Sequence, residues 1–191
     1  MEILIAKRGG FCRGVKKAVD TALSITPENT YIYGEIIHNP DVVQAITARG
    51  LVMVESLDEV PNGATLIIRS HGVGRSVYEL CASRNIKIID CTCEFVRRTQ
   101  RIVDEKYREG KTIIIVGEKS HPEVVGINGW CEGNAYIFSS EDEDFSILPH
   151  NECCVVVQTT YSKEKFEKII KILIISAEKQ LKFFKQFAIL L

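Results

Sequence analysis

This chain lacks an excess of charge of one sign, and it lacks long hydrophobic runs. It has 24 Lys and Arg against 25 Asp and Glu, for a formal net charge of -1, so no basic stripe is available to bind nucleic acid. The cluster Arg97, Arg98 and Arg101 is more simply the solvated face of a helix. The N-terminal MEILIAKRGG has an apolar run too short for a signal peptide or a membrane span. We therefore expect a cytoplasmic protein that binds neither nucleic acid nor membrane.

Nucleotide-binding glycine motifs are also missing, and the cysteines are odd in number. Neither GxxxxGK(S/T) nor GxGxxG occurs in the glycine-rich segment GGFCRG, whose spacing differs from both. Seven cysteines in 191 residues do not resemble a disulfide framework, and in the cytoplasm they stay reduced. Their expected uses are packing, reactivity or metal binding. They are Cys12, Cys81, Cys91, Cys93, Cys131, Cys153 and Cys154.

Short apolar runs alternate with longer amphipathic ones, which predicts an α/β fold with mostly parallel sheets. The predicted strands are residues 2–6, 31–33, 51–54, 65–68, 86–89, 112–116, 135–138 and 154–157. The predicted helices are residues 15–24, 40–49, 75–84, 95–108, 123–131 and 163–175. We predict a first α/β domain over residues 1–96, a second over 97–175, and an atypical helical tail over 176–191.

Polar side chains follow the ends of these strands with unusual regularity. Parallel sheets place their ligand sites at the carboxyl ends of the strands, so these residues are candidates for one functional region. In the first half they are Cys12, His38, His71 and Cys93, and in the second half His121, Glu123 and Thr159.

Each candidate also has a simpler explanation. A cysteine is among the most buried residue types, and a single histidine in a turn often makes a structural hydrogen bond. Packing is a weaker explanation for Cys12, because it lies in a glycine-rich turn that opens a helix, where backbone N–H groups favour a thiolate. Three of the four histidines follow strands, and imidazoles gathered in this way suit an anionic phosphate ligand.

Six motifs occur in an order and spacing that resemble one enzyme family. They are GGFCRGV, GEIIHNP, RSHGVG, DCTC followed by a basic helix, GEKSHPEVVG and VVVQTT. This series resembles the 4-hydroxy-3-methylbut-2-enyl diphosphate reductase family of isoprenoid biosynthesis, in the methylerythritol phosphate pathway. The resemblance implies three small α/β domains around a central iron–sulfur and substrate site, two of which lie in this chain.

The resemblance also implies roles for the strand-end residues. Cys12 and Cys93 correspond to ligands of a 4Fe–4S cluster, whereas Cys91 matches no ligand position. Glu123 corresponds to the proton source. The substrate-binding residues implied are His38, His71, His121 and Thr159. Since no nicotinamide or flavin signature is visible, electrons are expected from an external donor such as ferredoxin or flavodoxin.

The C-terminus departs from the family pattern. The family's third cluster cysteine follows the QTT motif, but no cysteine follows Cys154 here, and residues 168–191 read as an amphipathic helix broken by lysines. We expect a truncated or frame-altered reductase. The sequence leaves open whether it is active, because two thiolates hold such a cluster poorly. Replacement ligands among Cys131, Cys153 and Cys154 are disfavoured. The alternatives are a zinc-dependent hydrolase or sensor using Cys12, Cys93 and a histidine, and a non-catalytic α/β fragment.

Overall fold

The computed structural model describes residues 11–37, 39–149, 151–179 and 188–190. The chain forms two compact units, one of residues 1–70 and 84–93 and the other of residues 71–83 and 94–191. The backbone thus leaves the first unit after Ser70 and returns to it at Arg84. The domain limits expected at residues 96 and 175 stay predictions.

The first unit is built on a parallel sheet with four described strands. Along the chain its elements are α1 (Arg13–Ser24), β1 (Thr30–Tyr33), α2 (Pro40–Thr47), β2 (Val52–Val54), β3 (Thr65–Ile68) and β4 (Lys87–Asp90), with a 3-10 turn at Leu57–Glu59. The strand order is β2-β1-β3-β4, and every pair is parallel. These strands confirm the α/β prediction for this unit, whereas the strand predicted over residues 2–6 lies outside the described residues.

Helix α1 covers one face of this sheet because its apolar residues share one side. Ala18, Val19 and Ala22 are all at most 5% exposed and join a core that includes Ile32 of β1 and Ile67 of β3. Their spacing of one and four residues places them on one helical stripe. Cys91, just after β4, belongs to the same core at 1% exposure, so its thiol packs among apolar side chains.

The second unit contains a parallel sheet with the same pattern of strand order. Its elements are α3 (Arg75–Ser83), α4 (Glu94–Arg108), β5 (Thr112–Val116), α5 (Pro122–Asn128), β6 (Tyr136–Phe138), β7 (Cys153–Val157), α6 (Lys163–Lys179) and β8 (Ala188–Leu190), with 3-10 turns at Gly129–Cys131 and Phe145–Ile147. The order of its described strands is β6-β5-β7-β8, again parallel throughout. In the part of the chain that the structure describes, no helix is long and apolar enough to cross a membrane.

Strand β7 is buried on both faces, which explains its continuous apolar sequence. Cys153 packs into the core on one side of the sheet and Cys154 into the core on the other, where Cys131 also lies. Burial raises the pKa of each of these three thiols to about 11. They are therefore packing residues with little thiolate at neutral pH, as the sequence had favoured.

The end of the chain differs from the helical tail predicted over residues 176–191. Helix α6 runs on to Lys179, but residues Ala188–Leu190 form strand β8, which pairs in parallel with β7. The helical prediction is therefore wrong for these three residues. The physical reason is that β8 bonds to backbone groups of β7 on the side away from β5, which would otherwise be an open sheet edge.

The acidic segment that follows β6 is held in place by the carboxylate of Glu143. Glu143 Oε1 accepts from the backbone N–H of Ser139 at 2.6 Å and of Ser140 at 3.1 Å, while Lys119 Nζ lies 2.7 Å from Oε2. Burial works to raise the pKa of Glu143, but the hydrogen bonds from Lys119 and Ser139 outweigh it, and the pKa is lowered from 4.5 to about 2.

We predict that this loop loses stability in acid. Because the folded pKa of Glu143 is depressed, its contribution is present above pH 4.5 and is lost as the pH falls towards about 2. Lys119→Met should move the pKa of Glu143 upwards, as followed by carboxyl-carbon NMR titration. Lys163→Met is the control, since Lys163 is exposed and does not contact Glu143. A Glu143 pKa near 4.5 in the unaltered chain would contradict this account.

Candidate functional site

Cys12 stands directly before helix α1, at its N-cap position. Its carbonyl accepts the first helical hydrogen bond, from Lys16 N at 2.9 Å, and its side chain is exposed. The Cys12 side chain makes no capping hydrogen bond, and the first N–H groups of the helix are directed towards this end. Such groups attract negative charge, including that of a thiolate.

Cys93 occupies the equivalent place between β4 and α4. Its backbone N–H donates to Ser70 O at 2.9 Å, and the turn before it is closed by Thr92 N donating to Asp90 Oδ1 at 2.9 Å. These bonds fix the DCTC segment at the carboxyl end of the sheet, and they leave the Cys93 side chain partly exposed.

The first turn of α1 lies against the Cys93 thiol. A Cβ placed on Gly14 would come within 3.0 Å of Cys93 Sγ and 3.2 Å of its Cβ, closer than side-chain atoms normally pack. Gly14 is two residues after Cys12, so this contact brings the two predicted cysteines into one neighbourhood of the first unit. Within the described residues, no group of three or more His, Cys, Asp and Glu side chains is arranged to hold a metal ion.

We predict that a short crosslinking reagent that reacts with two thiols joins Cys12 to Cys93. Treatment of the reduced chain with dibromobimane should give a fluorescent product that peptide mapping assigns to these two residues. Cys12→Ser should abolish the bridge, whereas Cys81→Ala should leave it intact because Cys81 is buried. Separate single adducts on Cys12 and Cys93, with no bridged product, would show that the thiols do not meet.

The second unit carries a buried carboxyl group between two strand ends. Glu123, in the first turn of α5, is 2% exposed. Its Oε1 accepts from the backbone N–H of Thr159 at 2.6 Å, and its Oε2 accepts from the Thr159 hydroxyl at 2.8 Å. Thr159 is itself exposed, so the residue that bonds the buried carboxyl group also borders solvent.

Two of the predicted histidines meet beside this carboxyl group. His121 caps α5, and its Nδ1 accepts from the backbone N–H of Glu123 at 3.1 Å, so in the neutral ring the proton lies on Nε2. The His71 ring packs edge-on against the His121 ring, with 5.3 Å between ring centroids. The second unit thus gathers four of the predicted residues, His71, His121, Glu123 and Thr159. His38 lies outside the described residues.

Gln158 was not among the sequence candidates, yet it joins the two loops that carry Glu123 and Thr159. Its Oε1 accepts from Glu118 N at 3.0 Å, after β5, and its Nε2 donates to Thr160 Oγ1 at 2.8 Å, after β7. A Cβ on Gly117 would come within 2.8 Å of the Gln158 Cβ, so glycine is needed there. The available signal was a glutamine at the end of an apolar strand, a position that favours a buried, hydrogen-bonded amide.

We predict that Gln158→Leu destabilises the protein by about 1–3 kcal/mol, because it leaves the N–H of Glu118 without its acceptor. Urea unfolding measures the change. The matched control is Gln44→Leu on α2, an exposed position where the free energy of unfolding should change by less than about 0.5 kcal/mol. Equal effects of the two substitutions would rule out a special role for Gln158.

Thr159 also borders a pocket of about 440 Å³ in the second unit. Its walls combine apolar side chains from α4 and α6 with two cations, Arg98 and Lys163. The lining residues are Phe95, Arg98, Thr99, Ile102, Val157, Gln158, Thr159, Tyr161, Lys163 and Phe166. The pocket therefore offers space and positive charge next to the Glu123–Thr159 pair.

Comparison with known proteins assigns the family. A family model described as LytB protein matches residues 3–187. The chain belongs to the LytB family. The chain is 44% identical over 179 residues to a protein of Caldanaerobacter subterraneus subsp. tengcongensis named 4-hydroxy-3-methylbut-2-enyl diphosphate reductase; this match covers 91% of the chain and 62% of the relative. A Clostridioides difficile protein of the same name is 39% identical, with 89% of the chain and 63% of the relative covered. The LytB-family chain thus spans about three-fifths of these relatives' length.

Solved structures agree with the α/β assignment. A reductase structure from Plasmodium falciparum matches 92% of the LytB-family chain with a TM-score of 0.79 and 28% identity, and 57% of that structure is covered. A second structure is titled (E)-4-hydroxy-3-methyl-but-2-enyl diphosphate reductase, the terminal enzyme of the non-mevalonate pathway. It matches 98% of the chain at 32% identity and a TM-score of 0.79, with 66% of that structure covered.

Proposed function

We propose that this chain provides two α/β units of a reductase that removes the hydroxyl group of 4-hydroxy-3-methylbut-2-enyl diphosphate. The products are isopentenyl and dimethylallyl diphosphate. The carbon–oxygen bond breaks, a carbon–hydrogen bond forms, and two electrons and two protons are consumed as water leaves. The observation that carries the proposal is the Glu123–Thr159 pair, a buried carboxyl group hydrogen-bonded to the hydroxyl of an exposed threonine at the strand ends of the second unit.

Cys12 and Cys93 are the proposed ligands of a 4Fe–4S cluster. Their fit rests on the close approach of Gly14 to Cys93, where a Cβ on Gly14 would come within 3.0 Å of the Cys93 sulfur. Sulfur ligands suit iron–sulfur clusters, and helix N–H groups offset the negative charge of the thiolates. When bound, the cluster supplies electrons and a Lewis-acidic iron. The chain contributes two of the three thiolates that the resemblance implies.

Glu123 is the proposed proton source for the departing water. The Thr159 hydroxyl donates to Glu123 Oε2 at 2.8 Å, so it can pass a proton between the buried carboxyl group and a substrate hydroxyl bound outside. Thr159 N–H holds the other carboxyl oxygen at 2.6 Å and keeps the group oriented. A proton delivered only as the carbon–oxygen bond breaks lowers the barrier of that step.

The histidines are the proposed diphosphate-binding residues. The Nε2 proton of neutral His121 can donate to a phosphate oxygen, since its Nδ1 is already an acceptor for Glu123 N. The centroid of the His71 ring lies 5.3 Å from that of His121. A phosphate bound by both rings would favour their charged forms. His38 is assigned to the same substrate by resemblance alone. The electron donor is proposed to be a ferredoxin or a flavodoxin.

A chimera tests this function directly. The part of the Caldanaerobacter relative beyond its match is appended to this chain, and the purified protein is reconstituted anaerobically with iron and sulfide. We expect sulfide-to-iron absorption bands and reduction of the diphosphate with a chemical reductant. Glu123→Gln should keep the absorption bands and lower kcat by at least about 100-fold, the usual scale of one acid–base group.

Matched controls separate the possible outcomes. Glu167→Gln, an exposed carboxylate on α6, should leave kcat unchanged. Cys12→Ser and Cys93→Ser should each remove the absorption bands. Wild-type turnover in Glu123→Gln would remove that residue from its role. Stoichiometric zinc in place of iron, with no reductase activity, would replace the proposal by a zinc protein.

A further inference from the structure

The loop that carries His71 is packed backbone against backbone on a neighbouring helix end. This His71 loop, residues 71–74, lies in the second unit and precedes α3. A Cβ on Gly129 would come within 2.6 Å of Gly74 Cα, and one on Gly126 within 3.2 Å of the Gly72 carbonyl oxygen. A side chain at Gly129 would force the loop backbone to shift, and one at Gly126 would make a tight contact with it, so the His71 loop packs closely on α5 and the turn after it.

The carbonyl group of Val73 anchors the middle of the loop. Trp130 Nε1 donates to Val73 O at 2.9 Å, and Gln100 Nε2 donates to the same oxygen at 3.4 Å. Val73 is 5% exposed and Gln100 is 2% exposed. A buried carbonyl group that lost its donors would destabilise the loop, so these bonds favour one loop position.

Trp130 is itself held in place by α3 and α4. The guanidinium group of Arg75 lies over the indole ring, 5.4 Å from its centre, and Arg75 forms an ion pair with Asp104 of α4. Tyr78 of α3 also packs against the indole, with its ring centroid 5.8 Å from that of Trp130. The donor to Val73 O is therefore held by contacts with side chains of α3 and α4.

His121 needs no such anchor. It is fixed by its own place at the start of α5, where its carbonyl accepts from Val125 N at 3.0 Å and its Nδ1 accepts from Glu123 N. The position of His71 relative to His121 therefore depends on how the His71 loop is held.

We propose that Trp130 and Gln100 are positioning residues, which hold the carbonyl group of Val73 so that the imidazole of His71 stands against that of His121. This inference rests on the proposed function, in which both rings bind the diphosphate. It adds two side chains that act on the loop backbone, through the carbonyl group of Val73. Their effect is to preorganise the pair of imidazoles, which reduces the conformational entropy that the His71 loop loses when a ligand binds.

The ring contact can be measured without any turnover. The chain has four histidines, so carbon-13 labelling of their rings gives few signals, and single His→Gln variants assign them. We expect a nuclear Overhauser cross-peak between the rings of His71 and His121 in the unaltered chain. Gly129→Ala, which pushes on Gly74, and Trp130→Phe, which removes the indole N–H, should each abolish this cross-peak while the amide spectrum stays dispersed.

Two further variants complete the experiment. Gln100→Leu should weaken the cross-peak less than Trp130→Phe does, because its bond to Val73 O is longer. Tyr107→Phe is the matched control, since it removes a hydrogen-bonding group from another aromatic ring of the second unit and should leave the cross-peak unchanged. If Gly129→Ala fails to fold, the cross-peak in Trp130→Phe and Gln100→Leu tests the inference.

A cross-peak of unaltered intensity in folded Trp130→Phe and Gln100→Leu would overturn the inference. The readout is a distance between two rings, so it is independent of whether the chain takes part in diphosphate reduction. Failure of the chimera to turn over would leave this result standing, and loss of the cross-peak would not by itself establish the reaction.

Discussion

The carboxyl group of Glu123 is the constraint on which the second unit's site depends. It is buried, and it accepts hydrogen bonds on both oxygens from one residue, Thr159, at the end of the neighbouring strand. A buried carboxyl group without such donors would be costly. The loops after β5 and β7 must therefore keep this geometry, and Gln158, packed against Gly117, ties the same two loops together.

The two units use one structural principle for different chemistry. In each, parallel strands end at one edge of the sheet, and the residues just past them meet there. In the first unit this edge brings a thiol at the start of α1 towards the thiol that follows β4. In the second it brings together a carboxyl group, a hydroxyl group and two imidazoles. The two thiols therefore belong to one unit, and the carboxyl, hydroxyl and imidazole groups belong to the other.

The sequence predicted much of this because its signals are local. Apolar runs such as the one at β5 indicate buried strands, and a polar residue after each run indicates a strand end, which is how Cys12, Glu123 and Thr159 were found. Strand β8 was missed because its few apolar residues continue a helical pattern, and only pairing with β7 makes them a strand. Gln158 and Trp130 were missed because their partners lie 40 and 57 residues away along the chain.

The sequence by itself determined the α/β class, the order of the strands along the chain and the residue types at their ends, since these follow from periodicity and composition. Its motifs also indicated the family. Only the tertiary structure decided which of those residues touch. In that structure the Glu123 carboxyl group is hydrogen-bonded to Thr159, and the His71 ring packs against the His121 ring. Four cysteines are buried in the hydrophobic cores, namely Cys91, Cys131, Cys153 and Cys154. The physical reason is that contacts between distant segments depend on sheet order and on close backbone approaches at glycine, neither of which a local pattern records.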